Sequence, residues 1–574
     1  MKILGISGIP DLQKSISKSN NKNHLTRVCQ GLDSAASIIE NGKLLFSAAE
    51  ERFTGEKGTG EFPTNAITAG MSFTKTQSID DFDLICHGFD YANRPTPGPA
   101  DLKELYSKEN IAKHFEESYA KNVRSKLVSV PHHLAHAYSS IFCSGFSSGL
   151  CVVADGMGEI ESITVYLFTK NAIERMATYP ISKSLGIFYS IYTKFLGFEF
   201  NMDEYKVMGM SAYGKNNYAT YFQNKIKFEN EKLSVQFPNS SSKDTEYDEA
   251  IKIIADELKI PCVADSSQLS QAHYDIAHSL QRQFETTMVS LIGYWLRKTK
   301  QCNLALAGGV FLNCLMNQKL SELQSVKDMF IQPASGDDGT SLGAAIYGLI
   351  EHSRQEFISP PAFNPYLGPE FQDTEIIENI LLKSSVTYEY VGEKMIDEAA
   401  TAIANGKVIA WFKGRMEFGP RALGARSILA NPRTPGIKEK INRSVKFREL
   451  FRPFAPALLS EDAEELFDFK NTKATRYMLQ TAPATPAARN LIPGVIHEDG
   501  TARIQIADPE INPSFYNLLL RVKSLTGTGC VLNTSFNLKG QPLICDPKTA
   551  IDTFQKSDID HLFLEGYKIS KRKI

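Results

Sequence analysis

Two histidines and an aspartate in the first third of the chain have the types and spacing of metal ligands. His132 and His136 are four residues apart, which on a helix places both imidazoles on one face, where they can hold one metal ion. The apolar residues 150–154 predict a buried strand that ends at Asp155 and Gly156. At such a strand end, a phosphate and its metal can meet backbone N–H groups. The pattern therefore favours a site over a helix that merely carries surface histidines.

Two further glycine turns follow apolar strands later in the same half of the chain. Each predicted strand, at residues 303–307 and 330–333, leads into a glycine turn and then a helix. Such a turn lets a nucleotide approach the backbone closely. The candidate residues of the two turns are Gly308, Gly309, Asn313, Gly336 and Asp337. Together with the Asp155 turn, they predict two α/β lobes that face a cleft.

The amino-terminal residues predict another phosphate loop. A strand at residues 2–6 is followed by a polar stretch at residues 11–26, which we interpret as a solvent-exposed loop. A turn with Asp33 then precedes strands near residues 38–39 and 43–47. This order of strands and an aspartate turn is typical of actin-like ATPases.

A basic segment lies in the carboxyl-terminal part of the chain. Residues 406–452 contain five Lys and seven Arg against three Glu, interleaved with glycine and proline. Cations held on such rigid backbones are typical of sites for small anions. RNA binding is the rival interpretation, which the sparse aromatic residues and the formal net charge of -2 disfavour. The candidates are Arg415, Arg421, Arg426, Arg443, Lys446, Arg448 and Arg452, and beyond them Arg503, Asn533, Ser535 and Asn537.

Length and composition indicate a globular protein of several domains. The 574 residues predict roughly two to four domains. The nine cysteines form no CxxC pair, which argues against a zinc ribbon and fits a reducing cytosol. We expect a cytoplasmic protein with no membrane span and no signal peptide. A proline-rich stretch at residues 359–365 predicts a boundary, with domains at 1–355 and 366–574.

These motifs resemble the NodU/CmcH family of O-carbamoyltransferases, and the resemblance covers nearly the whole chain. The matching stretches are residues 132–137, 153–156, 308–313, 419–424, 451–456 and 532–537. The resemblance implies an α/β protein with an N-terminal actin-like (ASKHA) two-lobed domain followed by a YrdC-like α/β domain. It implies that the second domain makes carbamoyl-adenylate from carbamoyl phosphate and ATP, and that the first transfers the carbamoyl group to a hydroxyl of a small molecule.

The resemblance also assigns roles to particular residues. The metal, expected to be Fe²⁺ or another divalent transition metal, would be held by His132, His136, Asp155 and Asp337, and Mg²⁺ is a further candidate cofactor. The nucleotide in the first domain would lie by Asp33, Gly156, Gly308, Gly309, Asn313 and Gly336. Carbamoyl phosphate would contact Arg421, Lys446 and Arg452, and ATP would contact Arg503, Asn533 and Ser535. Lys57 matches a lysine on the acceptor side, and His133 is expected to point elsewhere.

The sequence departs from the family pattern where the acceptor would bind. Leu32 and Gly58 stand where family members usually have histidines, and His24 in the polar stretch is a speculative substitute. The acceptor, a natural-product hydroxyl such as one of an antibiotic, is left open, as is a homodimer; we expect neither nucleic acid nor membrane as a partner. Alternatives are a carbamoyl donor for protein maturation, threonylcarbamoyl transfer to tRNA, and a nucleotide-binding regulator without catalysis.

Overall fold

The computed structural model describes residues 1–8, 31–92, 100–170, 172–238, 246–360, 362–381 and 386–572. The polar stretch at residues 11–26, with His24, lies outside them. The chain divides into two compact units. Unit 1 comprises Met1–Glu50 and Gly58–Phe363, and unit 2 comprises Glu51–Lys57 and Asn364–Ile574. The division differs from the predicted ranges mainly in the segment Glu51–Lys57, which belongs to unit 2.

Unit 1 contains two five-stranded sheets and a hairpin. Its strands are β1 (Lys2–Ser7), β2 (Ala35–Glu40), β3 (Lys43–Ala49), β4 (Leu84–His87), β5 (Leu127–Ser129), β6 (Ser148–Ala154), β7 (Glu161–Thr169), β8 (Ile173–Pro180), β9 (Ile226–Glu229), β10 (Lys232–Val235), β11 (Asn303–Ala307) and β12 (Asp328–Ile331). The strand orders are β3-β2-β1-β4-β5 and β8-β7-β6-β11-β12, and β9 pairs with β10.

The two sheets repeat one topology. In each, the first strand pairs antiparallel with the second and the second antiparallel with the third, while the first, fourth and fifth are parallel. This duplicated order confirms the predicted actin-like two-lobed domain. Because the carboxyl ends of parallel strands lie at one edge of a sheet, the turns that leave β6, β11 and β12 share an edge of the second sheet.

The helices connect and cover these sheets. In chain order they are α1 (Glu51–Thr54), α2 (Thr64–Phe73), α3 (Ala100–Leu105), α4 (Lys108–Tyr119), α5 (His132–Ser144), α6 (Leu185–Phe195), α7 (Glu204–Met210), α8 (Ala219–Lys225), α9 (Glu246–Leu258), α10 (Gln271–Thr299), α11 (Cys314–Ser321), α12 (Asp338–Tyr347), α13 (Asp373–Leu381), α14 (Met395–Ala404), α15 (Ile437–Lys440), α16 (Ser460–Leu466), α17 (Pro486–Leu491), α18 (Pro513–Thr526) and α19 (Pro547–Gln555). None of these, in the part of the chain that is described, is both long enough and apolar enough to cross a membrane.

Unit 2 is an α/β domain built on a mixed sheet. Its strands are β13 (Val386–Tyr390), β14 (Ile409–Phe412), β15 (Arg426–Ala430), β16 (Ala455–Leu458), β17 (Thr481–Pro483), β18 (Thr501–Arg503), β19 (Gln505–Ile506), β20 (Cys530–Ser535), β21 (His561–Leu564) and β22 (Tyr567–Lys571). The main sheet has the order β13-β22-β21-β14-β15-β20-β16-β19, and β17 pairs with β18.

Strand β14 lies inside this sheet and is apolar at every position. Ile409 and Trp411 belong to the core that contains residues of α14 and α18, whereas Ala410 and Phe412 belong to a second core on the other face. A strand buried on both faces must be apolar at every position. The continuous apolar run therefore marks a central strand.

Candidate functional sites

Helix α5 starts with a histidine whose ring orientation is fixed by hydrogen bonds. The backbone N–H of His132 donates to the Glu159 carboxylate, at 2.9 and 3.1 Å from its two oxygen atoms. The His132 Nδ1–H donates to the Gly88 carbonyl oxygen at 3.1 Å. When Nδ1 holds the only ring proton, the imidazole presents the lone pair of Nε2, the form that binds a metal.

Four side chains converge around that nitrogen. The Nε2 of His132 lies 3.2 Å from Asp155 Oδ2 and 3.5 Å from Asp337 Oδ1. The Nε2 of His136 lies 3.6 Å from Asp337 Oδ1 and 4.0 Å from Asp155 Oδ2. Ligand atoms that each lie about 2.1 Å from one ion are about 3 to 3.5 Å apart. The observed separations therefore fit a shared ion after shifts of about 0.5 Å.

The unmet hydrogen-bonding capacity of the cluster also fits a metal. Among the described residues, none makes a hydrogen bond to His132 Nε2, to either ring nitrogen of His136 or to Asp155 Oδ1, although all four atoms are buried. Each such atom costs about 1–3 kcal/mol when it has no partner. His132, His136 and Asp155 offer ligand atoms within 4.8 Å of one another. Imidazole and carboxylate donors suit Fe, Mn or Zn.

Two junctions between secondary-structure elements bring the carboxylates to the histidines. Asp155 directly follows β6, and Asp337 directly precedes α12. Helix α12 crosses α5 at Gly343, where a Cβ would lie 1.7 Å from the carbonyl oxygen of Ala135. Only glycine permits this close approach. The backbone N–H of Gly31 donates to Asp337 Oδ2 at 3.0 Å, so that the other oxygen, Oδ1, faces the histidines.

His133 belongs to the same cluster, and the expectation that it points elsewhere is wrong. Its Nε2 is 3.1 Å from Asp155 Oδ2, and its Nδ1 is 2.7 Å from the Thr164 hydroxyl oxygen. Although His133 is offset from the face of His132 and His136, its ring reaches Asp155 from another side. The geometry suits a group that orients the Asp155 carboxylate by a hydrogen bond.

Both carboxylates are held in their charged forms. Burial raises the pKa of Asp155, but the interactions with His133 and His132 lower it by a larger amount. The pKa of Asp155 therefore lies well below its usual range. Burial likewise raises the pKa of Asp337, and the interactions with His132 and His136 bring it down to about 2. Both groups are therefore anionic at neutral pH, which is the form in which a carboxylate binds a metal.

The glycine turns are placed around this cluster. Gly308 has φ +102°, and a Cβ there would lie 2.1 Å from the carbonyl oxygen of Ala154, so this glycine lets two turns pack together. At Gly309 no described atom lies within 4 Å of a Cβ position, which leaves the backbone approachable there. Gly156 accepts a hydrogen bond from the Ser184 hydroxyl at 2.6 Å. This turn is thereby joined to the start of α6.

Asn313 and Asp33 occupy defined positions in the same unit. Asn313 Oδ1 accepts from the backbone N–H of Met316 at 3.1 Å and so caps α11; its side chain also pairs with that of Gln281 at 2.9 Å. Asp33 has φ 60°. Its Oδ2 would lie 3.3 Å from a Cβ at Gly336, so these two predicted loop residues are neighbours.

The departures at the acceptor side lie close to Asp33. A Cβ at Gly58 would be 3.6 Å from Asp33 Oδ1, and Leu32 immediately precedes Asp33 and is half-buried. Lys57 is exposed and belongs to unit 2. The roles predicted for Asp33 and Lys57 stay predictions.

Unit 2 contains a buried ammonium group in a cradle of oxygen atoms. Lys446 is only 3% exposed. Its Nζ donates to Ser535 Oγ at 3.1 Å, to Asn537 Oδ1 at 2.6 Å, to the carbonyl oxygen of Asn537 at 3.1 Å and to that of Ser535. Burial, and then the charges of Arg448 and Arg452, place the pKa of Lys446 well below its usual value. The structure thus brings two predicted site residues, Lys446 and Ser535, into contact.

Asn533 supports the loop at residues 419–424 through hydrogen bonds. Its Nδ2 donates to the Gln505 Oε1 at 2.8 Å and to the Ala422 carbonyl oxygen at 3.2 Å. Gln505 in turn donates to the Leu423 carbonyl oxygen at 2.7 Å. Asn533 therefore supports the loop that contains Arg421, in addition to any role toward a nucleotide.

Glu417 fixes the same loop and was not recognised from the sequence. One carboxylate oxygen, Oε1, accepts hydrogen bonds from the N–H groups of Leu423 at 2.8 Å, Ala425 at 2.8 Å and Arg426 at 3.1 Å. Glu417 is 2% exposed. The sequence signal that could have found it is that Glu417 is the one acidic residue within the glycine- and proline-containing stretch 414–421.

The other predicted arginines occupy different environments. Arg421 is half-buried within the loop, Arg452 Nη1 lies 3.5 Å from Glu449 Oε2, and Arg503 ends β18. Arg415 and Arg426 both donate hydrogen bonds to backbone carbonyl groups. Arg415 Nε donates to the carbonyl oxygen of residue 368 at 3.1 Å, and the fully buried Arg426 donates to that of residue 414 at 2.9 Å and stacks on an aromatic ring. These two cations satisfy backbone carbonyl groups.

Comparison with known families identifies the chain. The model described as "Carbamoyltransferase N-terminus" matches residues 98–346, and the one described as "Carbamoyltransferase C-terminus" matches residues 400–571. The chain belongs to the carbamoyltransferase family. It is therefore an enzyme of carbamoyl transfer. The cluster of His132, His136, Asp155 and Asp337 lies within the first matched region, and Lys446 lies within the second.

Two similar proteins each match 94% of the chain. Nodulation protein NolNO of Sinorhizobium fredii is 31% identical over 559 residues, which cover 94% of this chain and 79% of that protein. An uncharacterized protein of Synechocystis is 32% identical over 591 residues, with 94% and 95% coverage. Among solved structures, full-length HypF in its phosphate- and nucleotide-bound form is 12% identical over 62% of this chain and 56% of its own, with a TM-score of 0.35.

Proposed function

We propose that this carbamoyltransferase is ATP-dependent and works in two steps through carbamoyl-adenylate. Carbamoyl phosphate first loses its phosphate to water and leaves carbamate. A carbamate oxygen then attacks the α-phosphorus of ATP, and pyrophosphate departs. In the second step a hydroxyl oxygen of the acceptor attacks the carbamoyl carbon, the hydroxyl proton is released and AMP leaves. Carbamate is a poor electrophile, and its conversion to the adenylate provides a good leaving group.

The observation that carries this proposal is that each unit has its own buried, charged site. In unit 2 the Lys446 ammonium and the loop around Arg421 suit a doubly anionic substrate, because fixed cations stabilise the charge that develops as phosphate departs. In unit 1 the cluster of His132, His136, Asp155 and Asp337 suits a divalent metal. Such an ion, when bound, neutralises and polarises a phosphate group.

The chain's own residues supply orientation and charge around that ion. The hydrogen bond from His132 Nδ1 to Gly88 fixes the ligand tautomer, and His133 steadies Asp155. Because Gly308 and Gly309 have no side chain, the adenosine can approach the backbone close to the cluster. Asp33 and Gly336 are neighbours in the adjoining loops. We propose a natural-product hydroxyl as the acceptor and Fe²⁺ as the metal, with other divalent transition ions as substitutes.

The acceptor side of unit 1 differs from the family pattern at Leu32 and Gly58. Both residues adjoin Asp33, so an altered acceptor explains both changes. Exchange of Leu32 for histidine should change which hydroxyl compounds are carbamoylated and leave the formation of adenylate unchanged. Loss of adenylate formation in Leu32→His would contradict this explanation.

The deciding experiment measures pyrophosphate release from ATP with carbamoyl phosphate and a ferrous salt, without any acceptor. We expect release only when carbamoyl phosphate is present, and mass spectrometry of the quenched protein should detect carbamoyl-adenylate. Lys446→Met should reduce release by at least about 100-fold because a buried cation is lost from the site. Lys523→Met is the matched control, since Lys523 forms ion pairs with Glu461 and Asp462 at the surface of the same unit.

Two results would count against the proposal. Intact ATP in the presence of folded, metal-loaded protein would mean that the first step does not occur, and a nucleotide-binding regulator would then be the better description. Equal activity of Lys446→Met and Lys523→Met would mean that the cradle is not the carbamoyl-phosphate site.

A further inference from the structure

The segment Glu51–Lys57 lies far in sequence from the rest of unit 2 but is an integral part of it. Its helix α1 carries Arg52, which is 8% exposed, and the Arg52 Nη2 donates to the carbonyl oxygen of Gly419 at 2.7 Å. The Arg52 Nη1 lies 2.8 Å from the carboxylate of Glu51. The guanidinium is therefore fixed by a charged neighbour and directed at one backbone carbonyl.

The next residue adds an apolar contact to the same place. Phe53 packs against a small core formed by Met416, Ala422, Leu543 and Cys545. Met416 and Ala422 stand on either side of Gly419. The segment thus donates a hydrogen bond to Gly419, and its Phe53 ring packs against residues on both sides of Gly419.

The bonded carbonyl is a sensitive point of the loop. Gly419 has φ +119°, a conformation that L side chains rarely adopt, and Pro420 follows with its φ fixed by the ring. Orientation of the Gly419 carbonyl therefore determines the direction in which the chain enters Arg421. Glu417 holds the far end of the loop, at Leu423, and Arg52 holds the near end.

We propose that Arg52 is a positioning residue for Arg421, contributed by the amino-terminal part of the chain to the carbamoyl-phosphate site of unit 2. The inference rests on the proposed function, in which Arg421 contacts carbamoyl phosphate. Arg52 itself touches the Gly419 carbonyl and acts on the substrate through the loop. Its loss leaves the loop attached by Glu417 and Phe53 but frees the peptide between Gly419 and Pro420.

The test compares Arg52→Met, Arg52→Lys and the wild-type full chain. Carbamoyl-phosphate-dependent pyrophosphate release should show a KM for carbamoyl phosphate that is raised about tenfold in Arg52→Met, because one buried charged hydrogen bond is removed, with the KM for ATP within about twofold. Arg52→Lys should recover part of the loss. Arg433→Met is the matched control, since the exposed Arg433 also donates to a backbone carbonyl of unit 2, that of Thr526.

A second readout separates this inference from the proposed function. Amide hydrogen exchange of residues 421–424 should be faster in Arg52→Met than in wild type, whether or not the protein uses carbamoyl phosphate. Unchanged exchange, or an equal rise of both KM values, would overturn the positioning role. Absence of carbamoyl-phosphate-dependent release in the wild type would instead refute the proposed function, and the exchange rates would still decide the role of Arg52.

Discussion

The close crossing of α5 and α12 predicts how Gly343→Ala would affect metal binding by the His132, His136, Asp155 and Asp337 cluster. In Gly343→Ala the new Cβ would lie 1.7 Å from the Ala135 carbonyl oxygen, and real Cβ atoms essentially never approach within 3.0 Å. The two helices must therefore separate by about 1.3 Å. Asp337 lies six residues before Gly343, about 9 Å along the helix axis, and moves with the same rigid helix.

This shift is large compared with the tolerance of a metal site. The distances from Asp337 Oδ1 to the histidine nitrogens are 3.5 and 3.6 Å, and they would increase to about 5 Å, whereas metal–ligand distances vary by about 0.2 Å. We expect metal affinity to fall at least about 100-fold, since one ligand is lost outright. Overpacking should also destabilise unit 1 by about 1–3 kcal/mol.

The assay is calorimetric titration of metal-free protein with Fe²⁺ under anaerobic conditions, and with Zn²⁺ in air, combined with thermal melting. Gly293→Ala in α10 is the matched control, because the nearest atom to its Cβ would be the flexible end of Arg297 at 3.2 Å. It should bind metal like the wild type. If Gly343→Ala melts earlier but binds both ions within about twofold of the wild type, Asp337 is not a ligand and the reasoning fails.

Three further predictions concern residues around the two sites. His133→Asn should weaken metal binding by about 10–100-fold, since it removes a hydrogen bond that orients Asp155; titration of the metal-free protein checks this, and unchanged affinity would exclude the role. The KM for carbamoyl phosphate should rise as the pH passes through the lowered pKa of Lys446, because the ammonium group loses its charge. Between that pKa and 10.5 the free energy of unfolding of unit 2 should increase with pH, since the unfolded chain holds the proton more strongly. Lys446→Arg should flatten both pH profiles. Glu417→Ala leaves three N–H groups without their acceptor and should cost about 3–5 kcal/mol, or about 10 °C in Tm, whereas Glu417→Gln keeps Oε1 and should cost less than half of that; equal melting of the two variants would refute this account.

Much of unit 1 was predictable because its signals are local. The apolar strand before Asp155 reflects burial that any fold would require of those residues. The boundary between α3 and α4 is less evident, since α3 ends at Leu105 and Ser107 caps α4 through the N–H of Asn110 at 3.1 Å. A serine that stops one helix and starts another is difficult to distinguish from a surface position.

The contacts that were missed join residues distant in sequence. Arg415 and Arg426 have the same glycine- and proline-rich surroundings as Arg421, yet Arg415 bonds to a carbonyl group 47 residues away. The sequence contains no sign of which arginine has such a partner. His133 was misjudged for a related reason, because its partners are Asp155, which follows β6, and Thr164, which lies in β7. Helical spacing alone describes only what lies on the same helix.

The position of Arg52 in the chain has a consequence for synthesis of the protein. Its hydrogen-bond partner, Gly419, is 367 residues further along. At about 5–20 residues per second, a ribosome needs roughly 20–70 s to make that stretch. For most of this interval Arg52 and Phe53 are outside the ribosomal tunnel, while the loop that they contact has not yet been made. Unit 2 therefore reaches its final form only after translation of the carboxyl-terminal sheet, and a truncated nascent chain lacks the residues that cover Phe53.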